Sequence, residues 1–175
     1  MLVNGVGGGV GTYAVQIAAA LGAEVTGVCG ARNAELVTSL GAAHVIDYAS
    51  EDFADGRTRY DVILDNVGNL PLARLRRALT PRGTLVLNGG GSPGHVFGPV
   101  AGILRAVAVN PVVSQRLRPL PSRQNREELL AVTRLIEDGK VTPVVDRTYS
   151  LAEAAQAVRT VEQGHARGKL VITVA

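Results

Sequence analysis

Residues 1–20 have the sequence MLVNGVGGGVGTYAVQIAAA, and this stretch decides the fold of the chain. Its apolar start, Leu2-Val3-Asn4, predicts a short strand, which runs into a glycine-rich turn. An apolar stripe at helical spacing follows the turn, on Val10, Ala14, Ile17 and Leu21. A strand, a glycine turn and a helix in this order predict the start of a βαβ unit whose turn can hold a phosphate.

The glycines follow the pattern G-x-x-G-x-x-G, on Gly5, Gly8 and Gly11. The strict pattern G-x-G-x-x-G cannot be placed, because Val6 stands where its first glycine is needed. Glycines allow the backbone to turn tightly and to come close to a ligand. Alone, the pattern fits a structural turn and a dinucleotide site equally, so the residues downstream must decide between them.

Apolar segments continue to alternate with helical ones along the chain. Strands are predicted at residues 23–29, 44–48, 60–65 and 84–88, and a turn at 81–83. Asn33 is expected to cap one helix, and a second helix is predicted over 71–79. This alternation predicts an α/β fold, a Rossmann-type doubly wound parallel sheet covered on both faces. We therefore expect the ligand beyond the carboxyl ends of the strands.

The second half of the chain gives a less regular pattern. A helix is predicted within residues 100–109 and a strand within 112–120, and Asn125 begins a clear helix that Gly139 ends. Residues 141–149 are expected to be extended, Ser150 and Glu153 form a capping box, and residues 169–174 form a last strand. The sequence thus predicts two parts, a cofactor-binding domain over residues 1–139 and a C-terminal segment over 140–175.

Composition and charge restrict the classes of function. The chain has 175 residues, 46% of them hydrophobic and 19% charged, which suits one folded domain. Its net charge of +3 comes from scattered arginines, and only 3% of residues are aromatic, so we expect no nucleic-acid partner. No apolar run has the length of a membrane span, and the expected location is the cytoplasm. Cys29, His44, His95 and His165 show no metal-ligand pattern, so no metal site is predicted.

Arg32 indicates which dinucleotide the turn would bind. A dinucleotide site usually has an acidic residue at the end of its second strand, about 20 residues past the glycines, to bind the adenosine ribose. No acidic residue stands between Glu24 and Glu35 in this chain, and Arg32 occupies the loop. Because a guanidinium suits a 2′-phosphate, we expect NADP(H) rather than NAD. The alternative is that Arg32 is a solvated loop residue.

Polar side chains at the ends of two further strands lie on the expected ligand edge. Asp65 and Asn66 end one strand and Asn88 and Gly89 end the next. Asp65 either braces its loop or contacts the ligand. The chain has no Tyr-x-x-x-Lys pair, no Gly-Lys-Ser/Thr after the glycine turn and no G-x-S-x-G, which excludes short-chain dehydrogenases, P-loop proteins and α/β-hydrolases. A methyltransferase-like nucleotide fold stays open.

The chain resembles the medium-chain dehydrogenase/reductase superfamily, and within it the zinc-independent quinone oxidoreductase branch. The matching stretches are VNGVGGGVGTYAVQIAAALGAEVTGVC, ELVTSLGAAHVIDY, YDVILDNVG, GKVTPVVDRTYSLAEA and GHARGKLVITV. They span the chain in the family's order. Two places depart from the family, Val6-Gly7 in the glycine turn and Gly30, where a serine commonly helps to hold the 2′-phosphate.

The resemblance implies roles for particular residues. Gly8, Gly9 and Val10 would bind the pyrophosphate and Arg32 the 2′-phosphate of NADP(H). Tyr48 would lie near the adenosine half and Asn66 near the nicotinamide ribose. Gly89 would lie on the same ligand edge by its place at the end of the next strand. His165, Ala166 and Arg167 would return to the cofactor from the C-terminal segment. The family transfers hydride from NADPH to quinones, enones or related carbonyls without zinc, and the resemblance names no catalytic residue here.

The resemblance also implies a missing part. Members of the family are about twice as long, and a GroES-like catalytic domain precedes their cofactor domain. The C-terminal segment would normally complete that domain. An apolar unpaired strand at residues 141–145 is a template for association, so we expect a homodimer or a contact with a chain that carries the N-terminal half. Two hypotheses follow. In the first, the chain is the cofactor-binding part of an NADPH-dependent quinone or enone reductase. In the second, it is a non-catalytic NADPH-binding module or pseudoenzyme.

Overall fold

The computed structural model describes residues 1–88, 109–110, 113–120, 125–164 and 166–174. The strands are β1 (Leu2–Asn4), β2 (Thr26–Cys29), β3 (His44–Asp47), β4 (Tyr60–Asp65), β5 (Leu79–Leu87), β6 (Arg116–Pro119), β7 (Val145–Ser150) and β8 (Lys169–Thr173). The α-helices are α1 (Gly11–Ala20), α2 (Ala34–Ser39), α3 (Leu72–Arg77), α4 (Arg126–Glu137) and α5 (Ala154–Glu162). Single 3-10 turns, Ala31–Asn33 and Leu151–Glu153, come directly before α2 and α5. Gly89, His165 and most of the helix predicted within residues 100–109 lie outside the described residues.

Six of the eight described strands form a parallel sheet in the order β3-β2-β1-β4-β5-β6. The chain builds outward from β1 to β3 on one side, then crosses back and builds from β4 to β6 on the other. The predicted Rossmann-type doubly wound sheet is confirmed. The strand order reverses between β1 and β4, and in open α/β sheets this switch point is where ligands bind.

Two buried clusters lie on opposite faces of the sheet, because neighbouring residues of a strand point to opposite sides. Leu2 packs on one face with Ile63, Leu85 and residues of α3. Val3, the next residue, packs on the other face with Val15 of α1 and with α2. This continuous apolar pattern is what a strand buried on both faces requires. In the part of the chain that the structure describes, no helix is long and apolar enough to cross a bilayer.

Two local expectations are wrong. Residues 81–83 lie inside β5 and form no separate turn. They bulge between the pairs Tyr60–Leu79 and Val62–Thr84, since the register of β4 and β5 shifts there. Asn33 makes no capping bond to α2; its side chain accepts a hydrogen bond from Arg167 Nε at 2.9 Å. The two helix caps predicted further along the chain are present. Asn125 accepts from the N–H of Glu127, and the N–H of Ser150 bonds Glu153.

The C-terminal segment contains a separate two-stranded parallel sheet, β7 with β8. The expectation of an unpaired apolar strand at residues 141–145 is wrong, because residues 141–144 form no strand and Val145 pairs with Lys169 of β8. Val141 is 1% exposed, and the carbonyl of Val144 accepts from the N–H of Lys169 at 2.8 Å. Pairing begins at Val145 because the preceding segment lies against α1. The division between residues 139 and 140 stays a prediction.

Gln16 of α1 holds that segment in place. Its side-chain oxygen accepts from the N–H of Thr142 at 2.7 Å. Its side-chain nitrogen donates to the carbonyl of Thr142 at 3.0 Å and to that of Thr12 at 2.8 Å. The side chain is buried, so these bonds satisfy backbone groups that water does not reach freely.

Gln16→Leu should lower the free energy of unfolding by about 2 kcal/mol, because both backbone groups of Thr142 lose their partner. Urea denaturation followed by circular dichroism measures the loss. Gln156→Leu is the matched control, since Gln156 is exposed on α5 and its replacement should change stability by less than about 0.5 kcal/mol. Equal losses in the two variants would contradict this account of Gln16.

Candidate functional site

The glycine turn brings the start of α1 directly against the end of β1. Gly5 has a φ of 77°, a conformation that residues with a Cβ rarely adopt. A side chain on Gly11 would collide with the backbone of Gly5 and Val6. The N–H groups of Gly5 and Val6 both bond the carbonyl of Val28, at 3.1 and 3.2 Å. These contacts tie the turn to β2, so its position relative to the sheet is set by the backbone.

A cavity of about 1050 Å³ opens where the carboxyl ends of the strands meet this turn. Gly8, Gly9 and Val10 form part of its wall, and Val10 is 51% exposed. A Cβ on Gly8 would meet only the carbonyl oxygen of Gly5, at 3.6 Å, so the space beside this backbone is open. The cavity is large enough for a dinucleotide-sized ligand. Among the residues predicted for the site, the cavity is also lined by Arg32, Tyr48, Asn66 and Ala166.

A buried carboxylate organises the loop after β4. Asp65 is 1% exposed, and one of its oxygens, Oδ1, accepts from Asn4 Nδ2 at 2.9 Å. The same oxygen accepts from the N–H groups of Val67 and Gly68, at 3.1 and 3.0 Å. Asp65 therefore braces the loop and joins the ends of β1 and β4. Of the two roles that the sequence allowed, the structure shows the bracing one.

Asn66 presents a buried donor at the cavity. Its oxygen accepts from Asn88 Nδ2 at 2.8 Å, which fixes the orientation of the amide. Its nitrogen, Nδ2, is buried and has no hydrogen-bond partner among the described residues. An unsatisfied buried donor costs stability unless a ligand or water bonds it. Asn66 therefore lines the cavity and carries a buried donor without a partner among the described residues.

The opposite end of the cavity is formed by the loops after β2 and β3. Arg32 and Asn33 come from the first loop and Tyr48, 69% exposed, from the second. A Cβ on Gly30 would lie 3.2 Å from the hydroxyl oxygen of Tyr48, so the absence of a side chain at residue 30 gives this ring its place. A cation, an amide and an aromatic ring therefore stand together at this end.

The C-terminal segment reaches the glycine turn. Gly168 donates its N–H to the carbonyl of Gly7 at 3.1 Å and forms an isolated parallel bridge with Gly8. Ala166 lines the cavity, as expected. Arg167 is not among the lining residues; its side chain bonds Asn33 Oδ1 and the carbonyl oxygen of Arg32.

Sequence reasoning missed one wall of the cavity. Asp52, Phe53 and Arg74 line it, and Arg74 Nη2 pairs with Asp52 Oδ2. Asp52 follows β3 and Arg74 lies in α3, so no local pattern links the two residues. In the part of the chain that the structure describes, no three His, Cys, Asp or Glu side chains form a metal site.

Cys29 lies in the cavity wall but is buried, with 4% of its surface exposed. Burial raises the pKa of the Cys29 thiol, and the nearby Asp47 carboxylate adds to the effect. A raised pKa keeps the thiol protonated at neutral pH, and the protonated form is a poor nucleophile.

Cys29 should therefore react with iodoacetamide at pH 8 at roughly a tenth or less of the rate measured for the unfolded chain in urea. Since it is the one cysteine of the sequence, mass spectrometry of the intact chain follows the reaction directly. Equal rates in the folded and unfolded chain would contradict the protected, protonated thiol.

Asp65→Ala should lower the free energy of unfolding by about 3 kcal/mol, because it leaves Asn4 Nδ2 and two loop N–H groups without their shared acceptor. Thermal or urea denaturation measures the loss. Asp61→Ala is the matched control on the same strand, because Asp61 is exposed and, among the described residues, accepts only from Thr80 Oγ1, at 3.1 Å. A loss for Asp65→Ala no larger than that of the control would show that the carboxylate does not organise the loop.

Comparisons with known proteins agree with this fold. Residues 40–172 match the sequence profile of the family described as zinc-binding dehydrogenase. The chain is 34% identical over 176 residues to the chloroplast envelope quinone oxidoreductase homolog of Arabidopsis thaliana, a match that covers 98% of this chain and 51% of that protein.

Two solved structures give the same result. The quinone oxidoreductase of Coxiella burnetii superposes with a TM-score of 0.83 at 30% identity, over 99% of this chain and 52% of that one. The Escherichia coli quinone oxidoreductase complexed with NADPH superposes with a TM-score of 0.76 at 30% identity, over 99% of this chain and 56% of that one. The chain spans about half the length of the relatives that it matches. It belongs to the medium-chain dehydrogenase/reductase superfamily and corresponds to the cofactor-binding part of its members.

Proposed function

We propose that the chain binds NADPH and forms the cofactor-binding part of an oxidoreductase that reduces quinones, enones or related conjugated carbonyls. One observation carries the proposal. The glycine turn, the Arg32 loop and the amide of Asn66 line a single cavity of about 1050 Å³ at the switch point of the sheet. The similarity to quinone oxidoreductases supports the substrate class.

The residues present fit such a cofactor. The space beside Gly8 is open, so a phosphate can approach the backbone. N–H groups at the start of α1 and the dipole of that helix attract an anion there. The unpartnered Nδ2 of Asn66 matches a hydroxyl or carbonyl acceptor of the nicotinamide half. The guanidinium of Arg32 lines the same cavity and suits a 2′-phosphate.

In this proposal Gly8, Gly9 and Val10 bind the pyrophosphate, and Arg32 selects the phosphorylated dinucleotide. Tyr48 contacts the adenosine half, and Asn66 orients the nicotinamide ribose. Gly89, His165, Ala166 and Arg167 complete the expected set from the resemblance. When bound, the nicotinamide supplies the hydride. The task of the chain is to hold and orient the ring, and no acid–base residue of this part is assigned.

A further polypeptide surface is expected to complete the substrate pocket. The similar proteins are about twice as long. The C-terminal segment exposes apolar side chains on β7, β8, α5 and the turns beside them, Val145, Leu151, Val158, Val161 and Ile172. Several exposed apolar side chains on one short segment are consistent with a protein contact there. We propose that residues 140–175 complete a GroES-like catalytic domain. A chain that carries the N-terminal half would supply the rest of this domain, or a homodimer contact would take its place.

Calorimetric titration of the purified chain with NADPH and NADH tests the proposal. We expect NADPH to bind at least about tenfold more tightly, because a charge-assisted bond to the 2′-phosphate contributes roughly 1.5–3 kcal/mol. Arg32→Ala should remove most of this preference and leave NADH binding nearly unchanged. Arg126→Ala is the matched control, since Arg126 is exposed at the start of α4 and does not line the cavity.

The outcomes separate the hypotheses. NADPH binding without reduction of a quinone in the same assay would favour a cofactor part whose substrate half is elsewhere, or a non-catalytic module. Reduction of the quinone by this chain would show that the pocket is complete without a further domain. No binding of either nucleotide would refute the proposed function.

A further inference from the structure

Arg167 connects the C-terminal segment with the loop that carries Arg32. Its Nε donates to Asn33 Oδ1 at 2.9 Å, and its Nη2 donates to the backbone carbonyl oxygen of Arg32. The two acceptors are a side chain and a main-chain group of adjacent residues. A planar guanidinium can bond both at once because its N–H groups have a fixed geometry.

The backbone that carries Arg167 is itself held at several points. The N–H of Arg167 bonds Asp146 Oδ2 at 3.1 Å. The next residue, Gly168, donates to Gly7 at 3.1 Å, and Lys169 donates to Val144 at 2.8 Å. The backbone at Arg167 is therefore anchored both to the glycine turn and to the segment before β7.

At its other end, the Arg167 side chain bonds a short exposed loop. Residues 31–33 form a single 3-10 turn with no buried residue. Its backbone bond runs from the N–H of Asn33 to the carbonyl of Gly30, at 2.9 Å. The side chain of Asn33 makes no helix cap. A single exposed turn opens more easily than a buried one, so the bonds from Arg167 to Asn33 Oδ1 and to the carbonyl of Arg32 restrain this loop.

We infer that Arg167 is a positioning residue for cofactor selection, which fixes the Arg32 loop so that the Arg32 guanidinium is preorganised for a 2′-phosphate. This inference rests on the proposed function and changes the role that resemblance implied for Arg167. Its guanidinium bonds protein groups of the loop, and it is not one of the cavity-lining residues. A restrained loop loses less conformational entropy when the phosphate binds, which strengthens binding of the phosphorylated dinucleotide alone.

Arg167→Lys separates this role from a direct one. Lysine keeps the positive charge but has a single ammonium group, which cannot reproduce the two-point contact of the guanidinium. If Arg167 positions the loop, Arg167→Lys should lower the ratio of NADPH to NADH affinity by roughly tenfold, close to the effect of Arg167→Ala. NADH affinity should change by less than about threefold. The matched control is Arg159→Lys, at an exposed residue of α5.

Two further measurements complete the test. In the Arg32→Ala background, Arg167→Lys should cause no further loss of preference, because the loop then has no guanidinium to position. In the nucleotide-free protein, hydrogen exchange of the amides of residues 31–34 should be faster in Arg167→Lys than in the wild type or the control. This second measurement does not depend on nucleotide binding.

The inference is overturned if Arg167→Lys retains the NADPH preference, which would indicate a direct charge contact, or if the losses from Arg32→Ala and Arg167→Lys add. It is also overturned if the variant is less stable but keeps both the preference and the slow amide exchange, which would indicate a general structural role. A wild type that binds neither nucleotide refutes the proposed function and the inference together. A wild type that prefers NADPH while both readouts of the variant stay unchanged refutes the inference alone.

Discussion

The contact between Gly5 and Gly11 is the constraint on which the rest of the site depends. Because Gly11 has no side chain, the first turn of α1 can lie against the backbone of Gly5 and Val6. The helix therefore begins directly at the end of β1 and points its N–H groups over the sheet edge. Any side chain at residue 11 would push α1 away from β1, and both the buried packing of Val15 and the cavity beside Gly8 would change.

The site also requires that the ends of β1 and β4 stay together while the loops that follow them diverge. One oxygen of Asp65 accepts from Asn4 and from two loop N–H groups, so a single buried carboxylate meets this requirement. The loop that it shapes brings Asn66 to the cavity with its nitrogen unpartnered. Adjacent residues thus have different places in the structure, since Asp65 braces the loop and Asn66 lines the cavity.

The sequence pattern predicted a local structural feature correctly where the residues that decide it lie close together in the sequence. The glycine turn, the alternation of strands and helices, and the caps at Asn125 and Ser150 are of this kind. The errors have the opposite cause. Asn33 has the chemistry of a helix cap but bonds Arg167 instead, and residues 141–144 look like an exposed strand but are held by Gln16. In both cases a partner more than 100 residues away decides the outcome.

The sequence by itself determined the fold class, the position of the glycine turn and the presence of a basic residue where an acidic one is usual. Apolar periodicity and glycine chemistry are local, so they can be read along the chain. Only the tertiary structure decided which distant residues share the cavity, that Arg74 pairs with Asp52 in its wall, and that Arg167 bonds the Arg32 loop. The physical reason is that these contacts depend on how the C-terminal segment lies on the glycine turn, and no periodicity within either segment encodes that arrangement.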